Sequence, residues 1–210
     1  MKLFYSPGAG SLSTHIVLRE AGLGFDLEQV SLTTKQTASG SDYTAENPKG
    51  YVPALILDDG QMLTEGSAIV QYLADLVPEK QLAPAAGTMQ RYRLMEWLNY
   101  ISTELHKGFS PLFNSRAPEE WKAVARETLG RRIALVAERL ASSKYLLGDT
   151  YSVADAHLFT VLGWARYVKF DLSPWPVLAD YQKRIAERPA VRAALIAEGL
   201  IKDSASGEKS

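Results

Sequence analysis

Two short stretches in the first third of the chain are suited to holding charge. In Tyr5-Ser6-Pro7-Gly8-Ala9-Gly10-Ser11 a turn follows a short apolar strand and opens a helix. The first N–H groups of a helix have no partner within it, and the helix dipole adds partial positive charge there. Ser11 is a good N-cap type, and Gly8 and Gly10 let a ligand approach the backbone closely. The turn is therefore an anion site. In Leu63-Thr64-Glu65-Gly66-Ser67-Ala68-Ile69 a strand again runs straight into a helix start. The N–H groups of Gly66 and Ser67 suit a carboxylate, and Glu65 beside them suits an ammonium, which together describe a receptor for an amino-acid head group. The same residues also read as an ordinary helix start, with Thr64 or Gly66 as the cap and Glu65 easing the dipole.

Three further groups carry a chemical and a plain reading side by side. Pro53, in Asn47-Pro48-Lys49-Gly50-Tyr51-Val52-Pro53-Ala54-Leu55, either simply opens a strand or forms a cis bond that turns the Val52 backbone outward to pair with an extended peptide. Asn99, Thr103 and His106 recur at i, i+4 and i+7, a helix face that either borders a cleft or is simply solvated. Trp97, Phe109, Phe113, Trp164 and Tyr167 either line an apolar pocket or pack the core. The run Gly8-Ala9-Gly10-Ser11-Leu12-Ser13 nearly matches a dinucleotide fingerprint, with Asp26 or Glu28 as the ribose acid. A hairpin follows it, however, and the helical second half leaves no sheet for a second mononucleotide unit.

The elements that would position these groups alternate over the first eighty residues. A strand at 2–5, a helix from Ser11 to Gly22, a strand at 25–32, a polar loop at 33–50, a hairpin of 52–57 and 62–64 around Asp58-Asp59-Gly60, and a helix ending before Pro78 call for a small mixed sheet with helices packed on it. Residues 78–87, rich in Pro, Ala and Gly, form a linker between domains at 1–77 and 88–201. The second domain is helical throughout. Leu94, Leu98, Ile101 and Leu105 make one apolar stripe and Leu129, Ile133, Val136 and Leu140 another. Residues 153–165 read as a buried central helix opened by the capping box Ser152-Val153-Ala154-Asp155, and residues 202–210 as a polar tail.

With 210 residues, 46% of them hydrophobic and a net charge of −1, the chain reads as a globular protein of two small domains with no electrostatic case for nucleic acid or anionic membrane. No apolar run reaches the roughly 18 residues of a membrane span, and Pro7 interrupts any signal-peptide core, so a cytoplasmic location is expected. There are no cysteines, which excludes disulfides and protein-thiol redox chemistry. His15, His106 and His157 are too widely spaced to suggest a metal motif.

Taken together, the motifs resemble the cytosolic glutathione transferases, specifically the bacterial beta class. They are Lys2-Leu3-Phe4-Tyr5 with Pro7-Gly8-Ala9, the segment from Asn47 to Leu55, Leu63 to Gly66, Glu96-Trp97-Leu98-Asn99-Tyr100, Thr103 to Phe109, and Ser152 to Ala156. The resemblance implies a thioredoxin-like N-terminal domain of order βαβαββα, an all-helical C-terminal domain, and a homodimer. It implies no cofactor, with glutathione as co-substrate and a small hydrophobic electrophile as its partner in reaction. Pro53 would be cis, Val52 would pair with the cysteinyl part, Glu65 and Gly66 would hold the γ-glutamyl end, and Lys35 the glycine carboxylate. Asn99, Thr103, Glu104 and His106 match the family's helix-borne site residues, some reaching across the dimer, and Phe109, Phe113, Trp164 and Tyr167 would line the electrophile pocket. The departure is Gly10, where the beta class carries cysteine. Mixed-disulfide chemistry is thereby excluded, whereas conjugation is not: Ser11 Oγ and the N–H groups of Gly10 and Ser11 would stabilise the thiolate, with Tyr5 and His106 in support. The alternative implied by the resemblance is a non-catalytic binding or regulatory protein of the same fold.

Overall fold

The computed structural model describes residues 1–203; residues 204–210, most of the expected tail, lie outside them. The order β1 (Lys2–Tyr5), α1 (Ser11–Ala21), β2 (Asp26–Gln29), α2 (Tyr43–Glu46), β3 (Ala54–Ile56), β4 (Met62–Thr64), α3 (Gly66–Asp75) is the expected thioredoxin-like βαβαββα. The sheet runs β2-β1-β3-β4, with β1 parallel to β2 and antiparallel to β3, and β3 antiparallel to β4. Side chains alternate across it. Leu3 and Leu55 enter the main core with α1 and α3, while Phe4 and Ala54 pack with Val30 and Tyr43 on the other face.

Both neighbouring strands are shorter than their apolar patterns suggest. β3 starts only at Ala54 because Pro53 has no N–H to give a ladder, and Leu57 N–H already turns into the hairpin toward Gln61 O at 2.8 Å. Beyond Gln29 the second strand continues only as an isolated bridge between Val30 and Thr37. The polar loop holds one short helix, α2, capped by Asp42, which accepts from Thr44 N–H at 2.9 Å. Helix α1 closes on Gly22 at φ 70, with Leu23 N–H reaching Leu18 O at 3.2 Å, the left-handed ending that glycine accommodates without a Cβ clash.

After a single 3-10 turn at Pro78–Lys80 the chain is helical: α4 (Met89–Tyr100), α5 (Lys107–Phe113), α6 (Glu119–Ala141), α7 (Val153–Leu162), α8 (Pro176–Ala186) and α9 (Pro189–Ala197). Both expected leucine-rich stripes are buried, and each such side chain contributes about 1.5–3 kcal/mol by leaving water. Helix α7 is buried on every side, and its capping box forms as expected, with Asp155 accepting from Ser152 N–H at 2.9 Å. The helix ends earlier than the apolar run, giving way to a 3-10 turn at Gly163–Arg166. The core is continuous between the two halves, with α1 packed on α7 and α9, so helix α7 can position groups on the sheet domain.

The main departure lies between α4 and α5, where Ile101–His106 is π-helical. A π turn is wider than an α turn, so the spacing of Asn99, Thr103 and His106 no longer places them on one face.

Candidate active site

The turn between β1 and α1 is clamped from the far half of the chain. Gly8 N–H donates to Glu198 Oε2 at 2.9 Å, and Gly8 O accepts from Trp164 Nε1 at 2.8 Å. Glu198 is itself held by His15 Nδ1 at 2.8 Å, and His15 Nε2 faces Arg19 Nε at 2.9 Å. A guanidinium only donates, so Nε2 accepts and the ring proton sits on Nδ1, directed at Glu198. Neither Glu198 nor His15 carried a sequence signal for this role, since 183 residues separate them.

Within the turn, Ser11 does not cap the helix. Gly10 already has helical angles (φ −56, ψ −23), so the cap position falls on it and Ser11 becomes the first helical residue. The Ser11 hydroxyl is fully buried; it accepts from Ser6 N–H at 3.1 Å and donates to Ser6 O at 3.3 Å. In this structure the one hydroxyl proton of Ser11, expected to face a thiolate, is directed at the Ser6 carbonyl. The N–H groups of Gly10 and Ser11 take no protein acceptor among the described residues, as expected of a helix start.

Gly10 faces His106. A Cβ built at position 10 would meet only His106 Cε1, at 3.7 Å. The imidazole stands edge-on to Trp164 with ring centroids 4.6 Å apart. Burial, and next the charge of Lys107, push its pKa down to about 4, so the ring is neutral at neutral pH. Tyr5 ends β1 with its ring 6.2 Å from that of His15. Burial first, and Glu198 second, raise its pKa, so it keeps its proton.

The second helix start lies close by. Glu65 precedes α3 at φ 70, ψ 109, a conformation uncommon for a residue with a Cβ and one that marks functional positions. Its exposed carboxylate pairs with Lys49 Nζ at 3.2 Å, and Lys49 also reaches Thr64 Oγ1 at 2.9 Å. Ala68 and Ile69 N–H donate to Glu65 O, which leaves those of Gly66 and Ser67 without a protein acceptor among the described residues. A Cβ at Gly66 would touch His157 Cε1 (3.6 Å), Pro53 Cγ (3.7 Å) and Ser13 Oγ (3.8 Å), so this start abuts the proline loop, α1 and α7 at once. The Val52–Pro53 bond is cis. Lys35 lies next to the same loop, donating to Gly50 O at 2.9 Å.

The polar face expected on α4 is divided by the π-helical segment. His106 turns to Gly10, Asn99 and Thr103 are exposed, and Thr103 Oγ1 bonds back to Asn99 O at 3.0 Å. Glu104 is taken by Arg132 of α6 at 2.7 Å, so its carboxylate is not presented as a free ligand group. Of the four aromatics expected in the pocket, Trp164 and Tyr167 line a cavity of about 780 Å³ bounded by Gly8, Leu12 and Leu200. Phe109 is fully buried and Phe113 half exposed. Neither lines that cavity; both meet Trp164 edge-on, at 6.1 and 6.0 Å.

The family description "Glutathione S-transferase, N-terminal domain" matches residues 11–76 and "Glutathione S-transferase, C-terminal domain" matches residues 100–189. Glutathione S-transferase GstA of Escherichia coli O157:H7 is 53% identical over 200 residues, covering 95% of this chain and all of that one. The structure of a sphingomonad glutathione S-transferase complexed with glutathione superimposes with a TM-score of 0.92 at 47% identity, covering 96% of this chain and all of that one. A beta-class glutathione S-transferase of Sphingomonas chungbukensis does so with a TM-score of 0.92 at 46% identity, again covering 96% and 100%.

Proposed function

The chain belongs to the glutathione S-transferase family, and we propose that it conjugates the glutathione thiolate to small hydrophobic electrophiles. The observation that carries this reading is the start of α1: two unengaged N–H groups at Gly10 and Ser11, in a turn fixed at Gly8 and facing a neutral imidazole. An unperturbed thiol has a pKa of about 8.5, and each unit of lowering corresponds to about 1.4 kcal/mol. Hydrogen bonds from N–H groups at a helix start favour the thiolate by amounts of that size. With no cysteine in the chain, no protein thiol can form a disulfide with the ligand's sulfur.

In this reading the thiolate lies on the Gly10 and Ser11 N–H groups and attacks the electrophile; the carbon–sulfur bond forms as the leaving group departs with the displaced electron pair. Ser11 acts through the Ser6 peptide, holding the turn, and Tyr5 remains protonated beside it. His106, neutral, contributes shape and at most one hydrogen bond rather than positive charge. The γ-glutamyl carboxylate takes the N–H groups of Gly66 and Ser67, and its ammonium takes Glu65. Val52 pairs with the cysteinyl backbone, and Lys35 meets the glycine carboxylate. The electrophile occupies the cavity beside Gly8, against Trp164 and Tyr167.

The division at 78–87 separates a glutathione domain (1–77) from a domain (88–201) that supplies the electrophile site. Exposed Tyr51, Met89, Tyr92 and Met95 supply apolar surface for a second copy of the chain, consistent with a homodimer. The proposed location is the cytoplasm; among the described residues no helix is long and apolar enough to cross a membrane. Retention on immobilised glutathione together with conjugation of an aryl halide tests the reading. Retention without conjugation would instead favour the binding-protein alternative.

A further inference from the structure

Behind the two helix starts runs a line of hydrogen-bonding groups that conjugation itself does not use. Ser13 Oγ lies 2.8 Å from Gly10 O and 3.2 Å from His157 Nδ1. On the other side of the ring, His157 Nε2 lies 3.2 Å from Ser102 Oγ, which is 2.6 Å from Ser67 Oγ and 2.8 Å from Leu98 O. The line therefore begins at the carbonyl of the α1 turn and ends on the second residue of α3. It passes through α7 and the π-helical segment, and Ser13 and His157 are both buried. The His157 ring also sets the closest approach of Gly66, whose built Cβ would meet Cε1 at 3.6 Å.

Proton counting shows that the parts of this line depend on one another. Each serine has one proton, and a neutral imidazole has one N–H. Burial, and next the nearby His106, push the His157 pKa down to about 3, so the ring is neutral. The serine that receives the ring N–H keeps its own proton for another acceptor: Gly10 O for Ser13, and Leu98 O or Ser67 Oγ for Ser102. The other must turn its proton to the bare ring nitrogen and release that acceptor. The tautomer of His157 thus decides whether the Ser13 hydroxyl holds Gly10 O or turns to the ring, and whether Ser102 gives its proton to the ring or keeps it for Leu98 O or Ser67 Oγ.

We propose that His157 is a positioning residue that fixes the spacing between the two helix starts, so that glutathione is gripped at its sulfur and at its γ-glutamyl end together. This rests on the conjugation reading above. It predicts a specific pattern, because two-point binding loses most when the frame between the points loosens, whereas one-point binding does not.

The test compares glutathione with cysteinylglycine, which keeps the thiol and lacks the γ-glutamyl group, as thiol substrates with one aryl halide. In His157→Phe the ratio of kcat/KM for glutathione to that for cysteinylglycine should fall about tenfold. His157→Gln, whose amide can donate to one serine and accept from the other, should fall between that variant and the wild type. A ratio unchanged in both variants, with the two thiols slowed equally, would assign His157 a merely structural role and overturn the proposal. Ser13→Ala carries the same test if the phenylalanine variant does not fold. Were the wild type not to conjugate, the function would fall on its own. Calorimetric binding would still decide the matter: glutathione affinity unchanged in His157→Phe overturns the proposal, and a clear loss supports it.

Discussion

The starts of α1 and α3 are both free helix N-termini, and they are built in opposite ways. The α1 turn is partly buried and held from outside, by Glu198 on its N–H and Trp164 on its carbonyl, with His15 and Arg19 one layer behind Glu198. The α3 start is open, carries its own charge on Glu65, and is balanced by the exposed Lys49. A firmly held mouth with two unengaged N–H groups suits a single polarizable anion whose protonation state has to be shifted, because hydrogen bonds to the charged form lower its pKa whereas burial alone would raise it. A charged, solvated mouth suits a zwitterionic head group that needs recognition but no change of protonation. The same backbone feature is thus suited to chemistry in one place and to selectivity in the other, according to what surrounds it.

The sharpest way to break the contrast is Glu198→Ala. It removes the acceptor of two buried donors, His15 Nδ1–H and Gly8 N–H, and should cost about 2–4 kcal/mol in denaturant unfolding. Turnover should fall steeply in the material that remains folded. A loss under about 1 kcal/mol would mean that the turn does not depend on its clamp.

Acid should also act on the α1 side. His106 titrates at about 4 and His157 at about 3 in the folded chain, below the ordinary 6.5, in both cases chiefly through burial. Unfolded histidine therefore binds protons that the folded state refuses. Stability from this source is complete above pH 6.5 and is lost as pH falls toward those values, on the order of 2 kcal/mol per histidine by about pH 5. Thermal unfolding against pH should show this decline, and His106→Phe should flatten it.

The α3 side is sharpened by Glu65→Gly. It relieves the positive φ, and should stabilise the fold by about 1 kcal/mol, while glutathione affinity falls roughly tenfold through loss of the charge. Chemical denaturation and calorimetry on one preparation read both signs. A gain in stability without loss of affinity would remove Glu65 from recognition. Smallest in stability, and the most direct probe of what Gly10 faces, is Gly10→Cys. Its Cβ meets only His106 at ordinary contact distance and φ is negative, so unfolding should shift by less than about 0.5 kcal/mol. Incubated with oxidised glutathione, the variant should gain the mass of one glutathione, which the parent chain should not.

Much of this arrangement was legible in the sequence because it is local. The β1-turn-α1 sequence, the hairpin at Asp58-Asp59-Gly60, the two leucine stripes and the Ser152–Asp155 cap each depend on residues a few positions apart, where propensity and periodicity act. The site was legible only in part. The strand-to-helix pattern drew attention to Glu65 and Gly66 and the turn to Gly10, while the cis bond at Pro53 was implied only by the family resemblance. The split of the 99–106 face was not, because a π-helical segment changes the period without a breaking proline or glycine inside it. Ser11 was misplaced because a serine before an apolar run reads as a cap, while the chain here turns helical one residue sooner. The clamp from Glu198 and the contact of Ser13 with His157 join residues 190 and 144 positions apart, a distance at which only tertiary packing decides.

The central claim is that the backbone N–H groups of Gly10 and Ser11 hold glutathione as a thiolate. Titration of the bound thiol by its ultraviolet thiolate absorbance tests this directly, in the wild type and in Ser11→Ala. The expected pKa is at least about one unit below the ordinary 8.5 in both proteins, with the alanine variant shifted back by only a fraction of that amount. A bound thiol that titrates at about 8.5 in the wild type would contradict it. So would a depression abolished by Ser11→Ala, which would return the role to the serine hydroxyl.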